Sequence, residues 1–127
     1  MPFSEFSAKL DVIPGHFSEF ELRASLTQGA GAEAIDLATQ DLTLSIGSYS
    51  VTVPAGSFHD VGKRAFVFTD IHKRKALEII LVKMEANSYR LEEAVRGADS
   101  DTVADPVAVT LTVGYNTGTA QVTVRDR

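Results

Sequence analysis

The 127-residue chain has no cysteine, no tryptophan, only four prolines, and no apolar run long enough for a membrane helix. Each absence excludes something. Without thiols there is no nucleophilic cysteine, no Cys-ligated zinc and no iron–sulfur cluster. A domain of this size buries enough surface to fold without a disulfide. A spanning helix requires roughly 18 or more consecutive apolar residues, and none occur. Basic charge is scarce too: 12 Lys and Arg face 17 Asp and Glu, for a formal net charge of −5. Proteins that grip a phosphate backbone carry a basic face, whereas the longest basic run here is Lys73-Arg74-Lys75 in a polar turn. Nucleic acid is therefore not an expected partner. Met1-Pro2-Phe3-Ser4-Glu5-Phe6 has neither the basic nor the apolar region of a secretory leader. The expectation is a protein retained inside the cell, or a mature or excised domain.

What the chain does have is alternation. Phe20, Leu22, Ala24 and Leu26 alternate with Glu21, Arg23, Ser25 and Thr27. Leu42, Leu44 and Ile46 enclose Thr43 and Ser45, while Val107, Val109, Leu111 and Val113 enclose Ala108, Thr110 and Thr112. A period of two puts one side of a strand in a core and the other in water, the habit of antiparallel sheets. Nine strands are expected, near 3–12, 17–27, 41–47, 49–54, 65–70, 76–84, 88–95, 106–113 and 119–125. Turn residues separate them: Pro14-Gly15, Gly29-Ala30-Gly31, Gly47-Ser48, Pro54-Ala55-Gly56, Gly62-Lys63 and Asn116-Thr117-Gly118. In the last triplet the glycine is expected to take the left-handed position of a hairpin. Ala76, Leu77, Ile80, Leu81 and Met84 also lie at helical spacing, but the β-branched run Ile79-Ile80-Leu81-Val82 favours a strand. The expected fold is a single all-β domain, an antiparallel β-sandwich or flattened barrel of about nine strands.

The chain also matches itself. Leu42-Thr43-Leu44-Ser45-Ile46-Gly47 recurs as Val109-Thr110-Leu111-Thr112-Val113-Gly114, and Gly29-Ala30 recurs as Gly97-Ala98. Val51-Thr52-Val53 recurs as Val122-Thr123-Val124, with four residues added at the hairpin, and Phe20-Glu21-Leu22-Arg23 loosely resembles Tyr89-Arg90-Leu91-Glu92. These matches predict an internal duplication with units near 17–56 and 88–127, each unit forming one sheet and covering the other's apolar face. Chance similarity among Thr-Val alternations is the competing reading.

The stretch Gly29 to Gly47, the run Val51-Thr52-Val53-Pro54-Ala55-Gly56-Ser57-Phe58, and the block from Arg96-Gly97-Ala98-Asp99 to Gly114 carry a resemblance. Together they resemble a β-rich domain of bacterial exported proteins, a domain of no established function, over about Phe17 to Val124. The shared motifs are structural. The resemblance implies a module of a secreted or cell-surface protein. Two departures stand out: Tyr115-Asn116-Thr117-Gly118 replaces a hairpin that is often acidic, and Asp105 precedes Pro106 where Asn is common.

Catalytic chemistry is hard to assemble from these residues. His16, His59 and His72 lie in three separate turn regions, and a metal needs convergent ligands. His59-Asp60 could join a serine in a triad, but no nucleophile elbow accompanies them. Asp99, Asp101 and Asp105 offer oxygens at loop spacing suited to Ca²⁺, or to turns closed by their own side chains. Phe20, Phe66 and Phe68 are expected inside, whereas Tyr49 and Tyr115 follow the two hairpin glycines and are candidates for exposure and sugar stacking. No catalytic residue, cofactor or metal site is assigned. The expected function is a non-catalytic structural or interaction module assembling through edge strands, with a carbohydrate- or calcium-binding module as the alternative. The segment Phe3 to Val12, hinged at Ile13-Pro14-Gly15, is a candidate for exchange with a neighbouring copy.

Overall fold

The computed structural model describes residues 2–13, 19–72, 75–85, 87–96 and 106–126. It is all-β, with eleven strands and no helix among the described residues. In chain order these are β1 (Phe3–Ile13), β2 (Glu19–Gln28), β3 (Leu42–Ile46), β4 (Tyr49–Val53), β5 (His59–Gly62) and β6 (Ala65–His72), followed by β7 (Lys75–Glu85), β8 (Ser88–Arg96), β9 (Val107–Val113), β10 (Asn116–Val122) and β11 (Val124–Asp126). They form a seven-stranded sheet in the order β11-β1-β2-β8-β7-β6-β5 and a four-stranded sheet in the order β10-β9-β3-β4. Every pairing between neighbouring strands is antiparallel except β11 on β1. The inward residues of both sheets join in one buried cluster, from Leu10, Leu22 and Leu91 in the larger to Leu44 and Leu111 in the smaller. The arrangement fits a β-sandwich, and neither sheet closes into a barrel.

The segment with two periodicities is strand β7, paired along its length with β6 and β8. Two strands escape the period-two reading. β5 is four residues long and exposed throughout, so it has no alternation to detect. The carboxy-terminal stretch divides into β10 and β11, which lie in different sheets. Asn116-Thr117-Gly118 is the start of β10 rather than a turn; the two-residue turn is Gly114-Tyr115. Gly114 has φ 59°, as does Gly47 in the Gly47-Ser48 turn between β3 and β4. A positive φ at the first central residue is what a type II′ hairpin requires, and glycine supplies it without strain.

In β1, Phe6, Ala8, Leu10 and Val12 face inward, and a register shift between Phe3 and Glu5 turns Phe3 inward as well. Phe3 then lies against the backbone of β10. A Cβ built on Gly118 would stand 2.5 Å from Phe3 Cδ2 and 3.1 Å from Phe6 Cβ. Pro2 bridges Thr117 at the same corner.

The matching segments do not face each other across the core. β3 and β9 lie side by side in one sheet, centred on the pair Leu44–Leu111, and β2 and β8 lie side by side in the other. Each sheet therefore sets two hairpins back to back, β1-β2 against β8-β7 and β4-β3 against β9-β10. Nor are four residues added at the hairpin. Both turns have two residues, so Val51 corresponds to Gly118 and Val53 to Ala120, while Val122-Thr123-Val124 straddles the end of β10 and the start of β11. Alternating Thr and Val look alike at several registers, which is why the longer offset suggested itself.

Candidate functional site

The outward residues of the four-stranded sheet are small hydroxyls set in rows. One row crosses the sheet as Thr117, Thr112, Thr43 and Thr52, and the next as Thr119, Thr110, Ser45 and Ser50. Within each hairpin the hydroxyls pair: Thr112 with Thr117 at 3.1 Å, Thr43 with Thr52 at 3.1 Å, Thr110 with Thr119 at 2.9 Å, and Ser45 with Ser50 at 3.1 Å. A hydroxyl has one donor and two acceptor lone pairs, so each pair keeps one O–H and several lone pairs for the solvent side. The larger sheet presents a different outer face, with Lys9, Arg23 and Glu92 aligned in one row and Asp11, Glu21 and Glu78 in the next.

An open cleft of about 580 Å³ adjoins the hydroxyl rows, lined by Glu33, Thr39, Gln40, Asp41, Thr43, Thr112, Gly114 and Tyr115. Tyr115 is 82% exposed at the tip of the β9–β10 hairpin. The opposite wall is the segment after β2, and it is tied down. The buried side chains of Gln28 and Asn116 both donate to the Glu33 carbonyl, at 2.7 and 3.0 Å. Gln40 accepts from the Asp36 amide at 2.9 Å and donates to the Ala34 carbonyl at 3.4 Å. One Asp41 carboxylate oxygen accepts from the Ala55 amide at 2.8 Å.

A second cleft, of about 450 Å³, is apolar: Ile35, Leu37, Phe58, Phe66, Leu81 and Tyr89 line it, with Asp36, Asp60 and Lys83 at its margin. The larger sheet has seven strands to the smaller sheet's four, and Phe66 and Phe68 of β6 are packed against the core yet only partly buried.

The edges differ in how they are protected. β5 has a register shift and ends in a turn where Lys63 and Arg64 both adopt positive φ. β11 is three residues long, with Arg125 3.7 Å from Asp11. β10 is bridged by Pro2. β4 has no charged residue and no irregularity in its register, and no described strand lies beyond it. β1, the candidate for exchange, is interior to its sheet, between β11 and β2.

One buried group has no chemistry assigned from sequence. Glu93 faces the core from β8, 2% exposed, between Leu22 and Ile79 on the neighbouring strands. Neither carboxyl oxygen has a hydrogen-bond partner among the described residues. Burial pushes its pKa up to about 8, so it is protonated at neutral pH. Tyr49 on β4 is raised to about 12, by burial first and by the Glu93 charge second. Its ring packs on Phe20, centroids 6.2 Å apart, so Tyr49 is half-buried while Tyr115 is exposed. Glu93 was legible by parity with Leu91 and Val95, but Glu92-Glu93 reads as a solvated pair.

His59 is exposed on β5, and Asp60 accepts from the Gly62 amide at 2.9 Å, a local turn bond. His72 ends β6. His16, Lys73, Arg74, Asp99, Asp101 and Asp105 lie outside the described residues. No cluster of three or more metal-ligating side chains occurs among the described residues, and no helix there is long and apolar enough to cross a membrane. No family model, curated protein or solved structure matches the chain.

Proposed function

We propose that the chain is a non-catalytic structural and interaction module of an exported or cell-surface bacterial protein, joined to neighbouring copies through strand addition at β4. The sandwich is read as two copies of a four-strand unit, β1–β4 and β7–β10, with β5, β6 and β11 added. The carrying observation is the edge of β4, beyond which no described strand lies: an uncharged strand with β-branched residues at Val51, Thr52 and Val53. Natural sheets blunt such edges with charge, bulges or covering segments, as the other three edges do here. The two-residue turn closes on Ile46 and Tyr49, so by the alternation of antiparallel pairs Ser50 and Thr52 direct their N–H and C=O groups away from β3. An added strand would take up those four groups. The exported setting rests on the resemblance of Val51 to Phe58 and of the Gly97-Ala98-Asp99 region to bacterial exported β domains.

Thr52→Pro tests the reading. Proline at an outward-facing edge position leaves the β3–β4 ladder intact and removes the donor an added strand needs. Sedimentation velocity should show concentration-dependent association for the parent chain and a monomer for the variant at equal thermal stability. A parent that stays monomeric at every concentration, or a variant that associates equally well, rules out assembly at β4.

A further inference from the structure

We infer that the outer face of the four-stranded sheet, together with the Tyr115 cleft, is a binding surface for a neutral polysaccharide. The inference is independent of the β4 edge.

The chemistry of the face selects the ligand. A sugar chain presents vicinal hydroxyls around each ring and an apolar face of C–H groups. Tyr115, largely exposed on a hairpin tip that a two-residue turn holds tightly, offers a ring on which that apolar face can stack. Beneath it, Thr112 and Thr43 belong both to the cleft and to the hydroxyl row, so a chain stacked on Tyr115 continues naturally onto the sheet. Rows are separated by the rise of two residues, about 6.8 Å, and strands by about 4.8 Å, so donors and acceptors recur at short intervals in both directions. Each paired hydroxyl set keeps one outward donor, which suits a ligand that is itself both donor and acceptor.

The cleft wall is arranged in advance. Asp41 is held through one oxygen by the Ala55 amide, and its other oxygen keeps acceptor capacity for a sugar hydroxyl. Gln40 is held at both ends of its amide by the backbone of Asp36 and Ala34. The Glu33 carbonyl behind them is fixed by two buried amides. Little side-chain freedom remains to be lost when a ligand arrives. Charge then divides the possible glycans. The hydroxyl rows contain no charged residue, the cleft adds only the carboxylates of Glu33 and Asp41, and the whole chain is at −5. An anionic polysaccharide would be repelled; a neutral one would not.

Electrophoresis through native gels containing soluble β-glucan, galactomannan or starch, with polygalacturonate as the anionic arm, tests this. At least one neutral matrix should retard the protein and polygalacturonate should not. Tyr115→Ala should weaken retardation about tenfold, equivalent to one stacked ring. Thr43→Ala with Thr112→Ala should weaken it by a smaller factor. Unchanged thermal melting of Tyr115→Ala would show that the loss is local. Free migration in every neutral matrix overturns the inference, as does equal retardation of Tyr115→Ala or equal retardation by polygalacturonate.

Discussion

The β3–β4 and β9–β10 hairpins share a turn and a register but place different residues behind it. After Gly47-Ser48 comes Tyr49, whose ring reaches Phe20; after Gly114-Tyr115 comes Asn116, whose amide reaches the Glu33 carbonyl. The paired strands beneath them differ in the same way. Taking Phe20 with Tyr89 as equivalent, inward Ala24 of β2 corresponds to inward Glu93 of β8. The Asn116 side has a polar group that is buried and satisfied. The Glu93 side has a buried polar group with no hydrogen-bond partner among the described residues, which the low dielectric tolerates only in its neutral form. Similar backbones thus accept quite different burdens, and the titratable one should dominate the response to pH.

The largest expected effect comes from Glu93. Its unfolded carboxyl loses a proton near pH 4.5, while the folded one keeps it to about 8. Between those values the folded state binds more protons, so stability falls as pH rises and levels off above the folded pKa. The fall should approach ~1.4 kcal/mol per pH unit in that window. Urea unfolding of Glu93→Gln across the same range should give a flatter profile; a parallel profile would mean that Glu93 is ionised or solvated in the native state.

Next in size is the exchange of equivalent residues between hairpins. Gly118→Val places the residue of position 51 where Phe3 and Phe6 leave no room. Overpacking there should cost about 3 kcal/mol, read as a shift in the urea midpoint with the slope unchanged. Tolerance of valine would show that β1 is held less closely against β10 than the corner implies. The smallest effect is expected for Asn116→Ala, at about 1–2 kcal/mol, since Gln28 still donates to Glu33 when one of the two amides is lost. Proteolysis in the segment after β2 should accelerate at the same time, because Asn116 anchors that segment to β10.

Much of the fold was legible because the core is written in period two. Leu42, Leu44 and Ile46, or Val107 through Val113, can face a core in only one register, and a slip of one residue would expose all of them. β5 was not legible, since His59-Asp60-Val61-Gly62 buries nothing and forms through pairing with β6. Of the candidate binding surface, the hydroxyls were visible as the water-facing members of the alternation. Their meeting in rows of four depends on β3 lying against β9, a pairing between segments more than sixty residues apart. Tyr115 was picked out with Tyr49, and packing separated them: one ring packs on Phe20, the other residue is largely exposed.

The amino-acid sequence alone determined an all-β chain with one apolar and one polar face per strand, hairpin glycines where the backbone needs positive φ, and a surface short of basic charge. These are local properties, set by side-chain parity and by the steric limits of each residue. Tertiary structure alone decided that the matching hairpins lie side by side, that the Glu93 carboxyl is sealed in the core, and that β4 ends its sheet with no described strand beyond it. Those outcomes depend on which strand pairs with which, and pairing is settled by burial shared between segments distant in the chain.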